Sequence, residues 1–360
     1  MFRQFVKLIC IALVVLILIE VALRLSSLFP GDTPFYRSDP VIGYRARAHV
    51  RIAENTTNSS GFNDIERSSA KSTNYKRVVF VGDSFVFGAL PRTDNFVSLT
   101  EDLSRRAGAE VAMWNFGIPG AGPENYLGLI RKDVLSANAD LVCLVFFIGN
   151  DIGQSHRDFK TRIWFGTPRE ILRSPYLMKP SIEYWYAYRL FRAGTKLLWH
   201  KLAQSQEKEN GTFTKETYLS IEYERSAIYK IKQNIKEAES YEAAKAILQQ
   251  MAVELAKNNT NFLVILAPDE IQVNSKLRDE VMKTYELDSN KYDFRQPQRL
   301  LLPYLRSRGI EVLDLLRDFA EAGATKSLYR KYDSHWNESG NQLAAQNIWT
   351  RIEAIMTPNR

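Results

Sequence analysis

The stretch RVVFVGDSF, residues 77–85, decides the fold. Arg77 to Val81 is a short apolar run of strand length, and it breaks at Gly82-Asp83-Ser84-Phe85, where glycine permits a sharp turn. A serine placed there emerges at the edge of a sheet, near the start of a helix. Further along the chain, short apolar runs keep alternating with helical patterns, the signature of strands and crossover helices in a parallel sheet. The strands expected are Arg77 to Val81, Val111 to Asn115, Leu141 to Phe147, Phe262 to Ala267 and Ile310 to Leu313. Between them one helix carries Phe96, Leu99 and Leu103, and another carries Ala244, Leu248, Met251 and Leu255. A last helix runs from about Ser339 to Ile355, and each helix has one apolar face. The class is α/β.

The span 155–240 interrupts this alternation and is rich in Tyr, Trp, Phe, Lys and Arg, so it reads as a partly helical insertion in a domain covering 76–360. Its aromatics, including Trp164, Tyr184, Trp185 and Tyr186, are read as packing the insertion onto the core; stacking on sugar rings is the sharper alternative. Residues 31–75 are polar and turn-rich and read as a lead-in packed on the core.

Residues 1–30 read as a membrane anchor. From Leu8 to Ile19 every residue is apolar or Cys, and the helical pattern continues to Leu28, before Pro30 and Gly31. Those 21 residues match a bilayer's hydrocarbon core of ~30 Å, and Glu20 can pair with Arg24 at i,i+4 spacing. A cleaved signal peptide is the competing reading, but no A-x-A-like site follows. With Arg3 and Lys7 on the cytoplasmic side, everything after Pro30 is exported, a single-pass arrangement with the globular part extracytoplasmic (periplasmic in a Gram-negative cell).

Composition is that of an ordinary globular chain, 45% hydrophobic and 25% charged, which excludes a disordered one. The net charge of +7 comes without a Lys/Arg block, so no nucleic-acid partner is expected. Cys10 and Cys143 lie too far apart in character to suggest a disulfide or a metal site. His49, His156 and His200 lack metal-ligand spacing, and neither a metal nor a cofactor is called for.

In an open parallel sheet, ligands bind beyond the carboxyl ends of the strands, so those turns carry the chemistry. After the first strand stands Ser84; after the second, the glycine-rich turn Asn115 to Gly122; after the third, Gly149-Asn150-Asp151. Tyr332-Asp333-Ser334-His335-Trp336-Asn337 stands before the final helix. Together they supply a hydroxyl, hydrogen-bond donors, an imidazole and a carboxylate. Asp83 and Asp151 are read as structural, and Trp336 either lines the pocket or braces the His335 loop.

In these four blocks, and in their order, the sequence resembles the SGNH or GDSL-type hydrolases. The likeness covers roughly Tyr36 to the C-terminus, since Asp39 to Tyr44 and the NSSGFN of Asn58 to Asn63 look like the lead-in of membrane-anchored, glycan-modifying members. The resemblance implies a doubly wound, flavodoxin-like parallel sheet of about five strands with helices on both faces. It implies Ser84 as nucleophile, His335 as base with Asp333 as its partner, and an oxyanion hole of Ser84, Gly120 and Asn150. The usual last block has two residues between Asp and His; here only Ser334 intervenes and Tyr332 holds the usual aspartate place, as in the Asp-x-His form of alginate O-acetylation relatives.

The expected function is serine-dependent hydrolysis or transfer of O-acyl groups, acetyl above all, on an extracytoplasmic carbohydrate. Its partners are an acylated polysaccharide, the bilayer through the N-terminal helix, and polysaccharide-assembly proteins. A catalytically silent glycan-binding or assembly protein and a lipid esterase are the alternatives. A nucleotide-binding protein is disfavoured, because neither phosphate-binding glycine motif follows the first strand.

Overall fold

Lys76–Gly82 forms β1, one residue longer at each end than the apolar run, and its buried residues from Arg77 onward explain why it is central. In the computed structural model, which describes residues 2–25, 35–68, 70–71, 75–155, 159–164, 167–172 and 212–356, four more strands join it. They are β2 (Val111–Gly117), β3 (Leu141–Phe147), β4 (Asn261–Ala267) and β5 (Glu311–Asp314). Among the described residues this sheet has the order β2-β1-β3-β4-β5, with every pair parallel. That is the doubly wound, flavodoxin-like order, with its switch point between β1 and β3. Val81 pairs with Phe116 of β2 on one side and Leu144 of β3 on the other.

The helices that matter here are α1 (Phe2–Leu25), α2 (Ser84–Phe87), α3 (Phe96–Arg106), α4 (Pro123–Leu129), α5 (Ile148–Ser155), α6 (Lys215–Arg225), α7 (Ile235–Ala256) and α8 (Glu338–Met356). Side chains alternate across a strand, so a strand apolar at every position needs cover on both faces. Val78, Phe80, Cys143, Val145, Leu263 and Ile265 pack in one cluster with Phe96 of α3 and Ala344, Ile348 and Ile352 of α8. Their neighbours Val79, Val81, Leu144, Phe146, Val264 and Leu266 are equally buried. They face the other layer, to which α4 and α7 belong; Ala244, Leu248, Met251 and Leu255 form the buried stripe of α7.

The chain divides into two compact units, the described parts of Met1–Arg45 with Phe159–Glu209, and of Ala46–Asp158 with Asn210–Arg360. The second unit holds the sheet. Within it the segment 46–68 is fastened to the end of α2: Asn63 Nδ2 donates to the Phe87 carbonyl at 2.6 Å, and Asn55 Nδ2 to the carbonyls of Gly88 and Leu90 at 3.1 and 2.9 Å. Phe62 stacks on Phe116 at 4.2 Å between ring centroids. The first unit holds α1, in which Arg3–Leu23 has a mean hydropathy of 2.9 and is long and apolar enough to cross a membrane. Residues 26–28 of the expected span, and the Arg24 side chain of the expected ion pair, lie outside the described residues.

Of the span 155–240, the described residues form an antiparallel pair, Phe159–Trp164 with Thr167–Leu172, then α6 and the start of α7. The span read as an insertion therefore runs into a helix that covers the sheet, because the Asn234 capping box starts α7 at Ile235. Tyr184, Trp185, Tyr186, His156, His200 and the Trp164 side chain lie outside the described residues.

Candidate active site

Ser84 is the first residue of α2. Asp83 caps that turn, its Oδ1 accepting from the Phe85 N–H at 2.9 Å, and the Ser84 N–H has no partner inside the helix. Burial pushes the Asp83 carboxyl above the usual carboxylate range, against the Phe85 hydrogen bond and the His335 charge. Its place is structural.

His335 lies 251 positions away in sequence, yet its Nε2 is 2.7 Å from Ser84 Oγ. Its Nδ1 is 2.5 Å from Asp333 Oδ1, which also accepts the His335 backbone N–H at 3.1 Å. The short Asp-Ser-His loop reaches this geometry because Tyr332 takes a left-handed conformation, φ 50°, costly for an aromatic residue. The turn is closed by Asp333 N–H donating to the Arg330 carbonyl and Arg330 N–H to the His335 carbonyl. On its other oxygen, Asp333 accepts from Thr212 Oγ1 at 2.5 Å and faces Arg330 Nη1 at 3.4 Å. Burial opposes the Asp333 charge, but the hydrogen bonds and charge of His335, with Thr212, hold the pKa down at about 2.

Trp336 is buried. It packs edge-on against Phe85 and Phe96, at 5.0 and 5.6 Å, and against Phe319 at 5.0 Å, so it braces the His335 loop from within the core.

The second and third blocks come from the strands flanking β1. Asn115 ties β2 to the serine turn: its Nδ2 donates to the Val86 carbonyl at 2.6 Å and its Oδ1 accepts the Gly117 N–H at 2.9 Å. Gly120 is exposed at φ 74°, a backbone conformation that favours glycine. Asn150 sits in the first turn of α5, half-buried, and Asp151 beside it is structural: it accepts the Phe147 N–H at 2.8 Å and the Tyr126 hydroxyl at 3.0 Å. Burial, then the nearby Asp83 charge, raises the Asp151 carboxyl well above its ordinary value. Asn150 Oδ1 accepts from Arg225 Nη2 at 3.1 Å.

The structure thus joins Ser84, His335 and Asp333 in one hydrogen-bonded chain, with Gly120 and Asn150 at the carboxyl ends of the two neighbouring strands. Among the residues touching it that were not singled out from the sequence are Thr212 and Arg225. Both fall inside the span read as an insertion, where a Thr ahead of a helix or an Arg in a Tyr- and Glu-rich one carries no signal beyond a solvated face. Among the described residues, no group of three His, Cys, Asp or Glu side chains is placed to hold a metal ion.

Residues 226–359 match the family model of the SGNH hydrolase-like domain of the acetyltransferase AlgX. The match contains Asp333 and His335 and begins after Ser84, Gly120 and Asn150. Among solved structures, the chain resembles an acetyl xylan esterase, AlAXEase, at 14% identity and a TM-score of 0.43, covering 77% of this chain and 99% of that one. A lipase/acylhydrolase from Enterococcus faecalis gives 14% and 0.44, covering 78% and 96%. The acetylxylan esterase Axe2 from Geobacillus stearothermophilus gives 15% and 0.42, covering 78% and 96%. No match to a curated protein sequence was found.

Proposed function

We propose that this chain is an SGNH-type, serine-dependent esterase or acyltransferase acting on O-acyl groups, acetyl above all, of an extracytoplasmic carbohydrate; the match of residues 226–359 to an SGNH hydrolase-like domain supports this. The observation that carries the reading is the unbroken chain from Ser84 Oγ through His335 to Asp333, at 2.7 and 2.5 Å. A serine hydroxyl is a weak nucleophile at neutral pH, and His335 Nε2 stands where it can take the proton as Oγ attacks the acyl carbonyl. Asp333, ionised and locked by Thr212 and the turn, holds Nδ1–H in place and stabilises the imidazolium that forms. The backbone N–H groups of Ser84 and Gly120 and the Asn150 amide receive the oxyanion, each such donor lowering the barrier by roughly 3 kcal/mol. His335 then returns its proton to the departing sugar hydroxyl, leaving an acyl-serine. Water or a second alcohol takes the acyl group, and that choice separates esterase from transferase.

Acetyl as the group transferred is supported by the family match, whose named member is an acetyltransferase, and the location by α1. With Arg3 and Lys7 on the cytoplasmic side of α1, the 76–360 domain acts outside the cytoplasmic membrane.

The test is covalent. A fluorophosphonate probe is expected to label the purified full chain and to fail with Ser84→Ala; labelling that survives the substitution removes Ser84 as nucleophile. Acyl analysis of surface glycan in cells carrying wild type or Ser84→Ala then identifies the substrate.

A further inference from the structure

Arg225, the last residue of α6, is half-buried beside the site, its side chain 14% exposed. Its Nη1 donates to Ser334 Oγ at 2.6 Å and meets Glu222 Oε1 at 2.8 Å and Asp269 Oδ1 at 3.4 Å, while its Nη2 donates to Asn150 Oδ1 at 3.1 Å. The guanidinium also lies over the Phe147 ring, 5.2 Å from its centroid. One planar group therefore spans two loops of the site, the turn after β3 and the Asp333-Ser334-His335 turn.

A guanidinium has five N–H donors and no acceptor. The amide atom of Asn150 facing it must be the carbonyl oxygen, so both Nδ2 protons are turned away from Arg225. With a neutral hydroxyl or amide in that place, either orientation of Asn150 could be satisfied. With arginine only one can.

The carboxylates around Arg225 point the same way. Glu222 and Asp269 are completely buried, and among the described residues Glu222 Oε2 has no hydrogen-bond partner. Such a cluster is held at a cost of several kcal/mol that a well-packed apolar side chain would not incur. Glu270 sits beside it, fixed by Tyr218 at 2.5 Å and Asn274 at 2.9 Å. The arrangement clamps the guanidinium from below, so its plane cannot follow a rotating Asn150.

We infer that Arg225 is a positioning residue for the acyl-transfer step: it fixes the Asn150 amide with Nδ2 toward the developing oxyanion and ties that turn to the turn carrying His335. Resting on the ester reading, the inference has one test with turnover and one without.

Arg225→Lys keeps the positive charge but loses the fork that reaches both Asn150 and Ser334. On p-nitrophenyl acetate, with the full chain in detergent, kcat is expected to fall at least ~10-fold, with KM within about threefold of wild type. In an Asn150→Ala background the same substitution is expected to cost less than about threefold, because the amide that Arg225 orients is gone and only its tie to Ser334 is left to lose. An equal factor in both backgrounds overturns the inference. Glu222→Gln, isosteric and next to the guanidinium, repeats the comparison with a smaller expected loss should Arg225→Lys not fold.

The second test reads Asn150 directly. In a full chain labelled with ¹⁵N-asparagine, the Nδ2 signal of Asn150, assigned by its disappearance in Asn150→Asp, is expected to move in Arg225→Lys and in Glu222→Gln. A signal that stays put in both removes the positioning role. Absence of both ester turnover and fluorophosphonate labelling in wild type sinks the ester reading and leaves this spectrum to decide what Arg225 holds.

Discussion

One oxygen of Asp333 accepts two hydrogen bonds from one residue: Oδ1 takes the backbone N–H of His335 at 3.1 Å and its Nδ1 at 2.5 Å. A side-chain oxygen bonding the backbone two residues on is what an Asx turn provides, and it requires a single residue between the partners. The Asp-x-His spacing is therefore compatible with a fully oriented imidazole, on condition that Tyr332 accepts a positive φ.

Replacing Asp333 by Asn keeps the turn's acceptor but removes the charge that stabilises the imidazolium, and allows the wrong tautomer. Asp333→Asn is expected to lower kcat by at least about 10²-fold with KM little changed, and His335→Ala by at least as much. Steady-state kinetics on a small acetyl ester measure both. Near-normal turnover in Asp333→Asn beside an inactive His335→Ala would reduce the arrangement to a Ser–His dyad.

The Asp333 carboxyl, at about 2 in the folded chain against roughly 3.9 in an unfolded one, sets a direction for acid stability. A depressed folded pKa adds stability above the unfolded value, and that stability is lost as pH falls from about 4 to about 2. Thr212→Val removes one hydrogen bond that lowers this pKa. Thermal unfolding should show the variant below wild type at pH 5, with the gap closing toward pH 2; a gap constant across this range contradicts the assignment.

Glycines near the serine turn should respond oppositely to a methyl group. A Cβ on Gly117 would sit 2.1 Å from the Phe87 backbone nitrogen, so Gly117→Ala must push β2 and α2 apart. It is expected to cost at least ~2 kcal/mol of stability and to slow phosphonate labelling of Ser84. Gly153, in α5, has nothing among the described residues within 4 Å of such a Cβ, and Gly153→Ala should gain ~0.5–1 kcal/mol by restricting the unfolded chain. Calorimetry of the two variants compares them; equal effects argue against this packing.

If α1 is an uncleaved anchor, the mature chain keeps Met1 or Phe2 and stays with membranes through an alkaline wash. N-terminal sequencing that begins near residue 30, on a soluble chain, identifies a signal peptide.

The strands and main helices were legible because their signals are local. A buried parallel strand must be apolar at nearly every position and a covering helix on one face, so the runs at Val78, Leu141 and Phe262 and the stripe from Ala244 to Leu255 declare themselves without knowledge of their neighbours. The turns bearing Ser84, Gly120, Asn150 and His335 were legible for a related reason, since each follows a strand or precedes a helix. Tertiary structure alone decided what those turns do to one another. Ser84 and His335 meet across 251 positions, and the reach of Asp333 depends on one dihedral angle at Tyr332. Thr212 and Arg225 join the site only because a segment distant in sequence folds back under it. No periodicity marks such residues: a hydrogen bond between distant segments depends on where the backbone carries both ends, and a single arginine in a polar helix reads the same whether it faces water or Asn150.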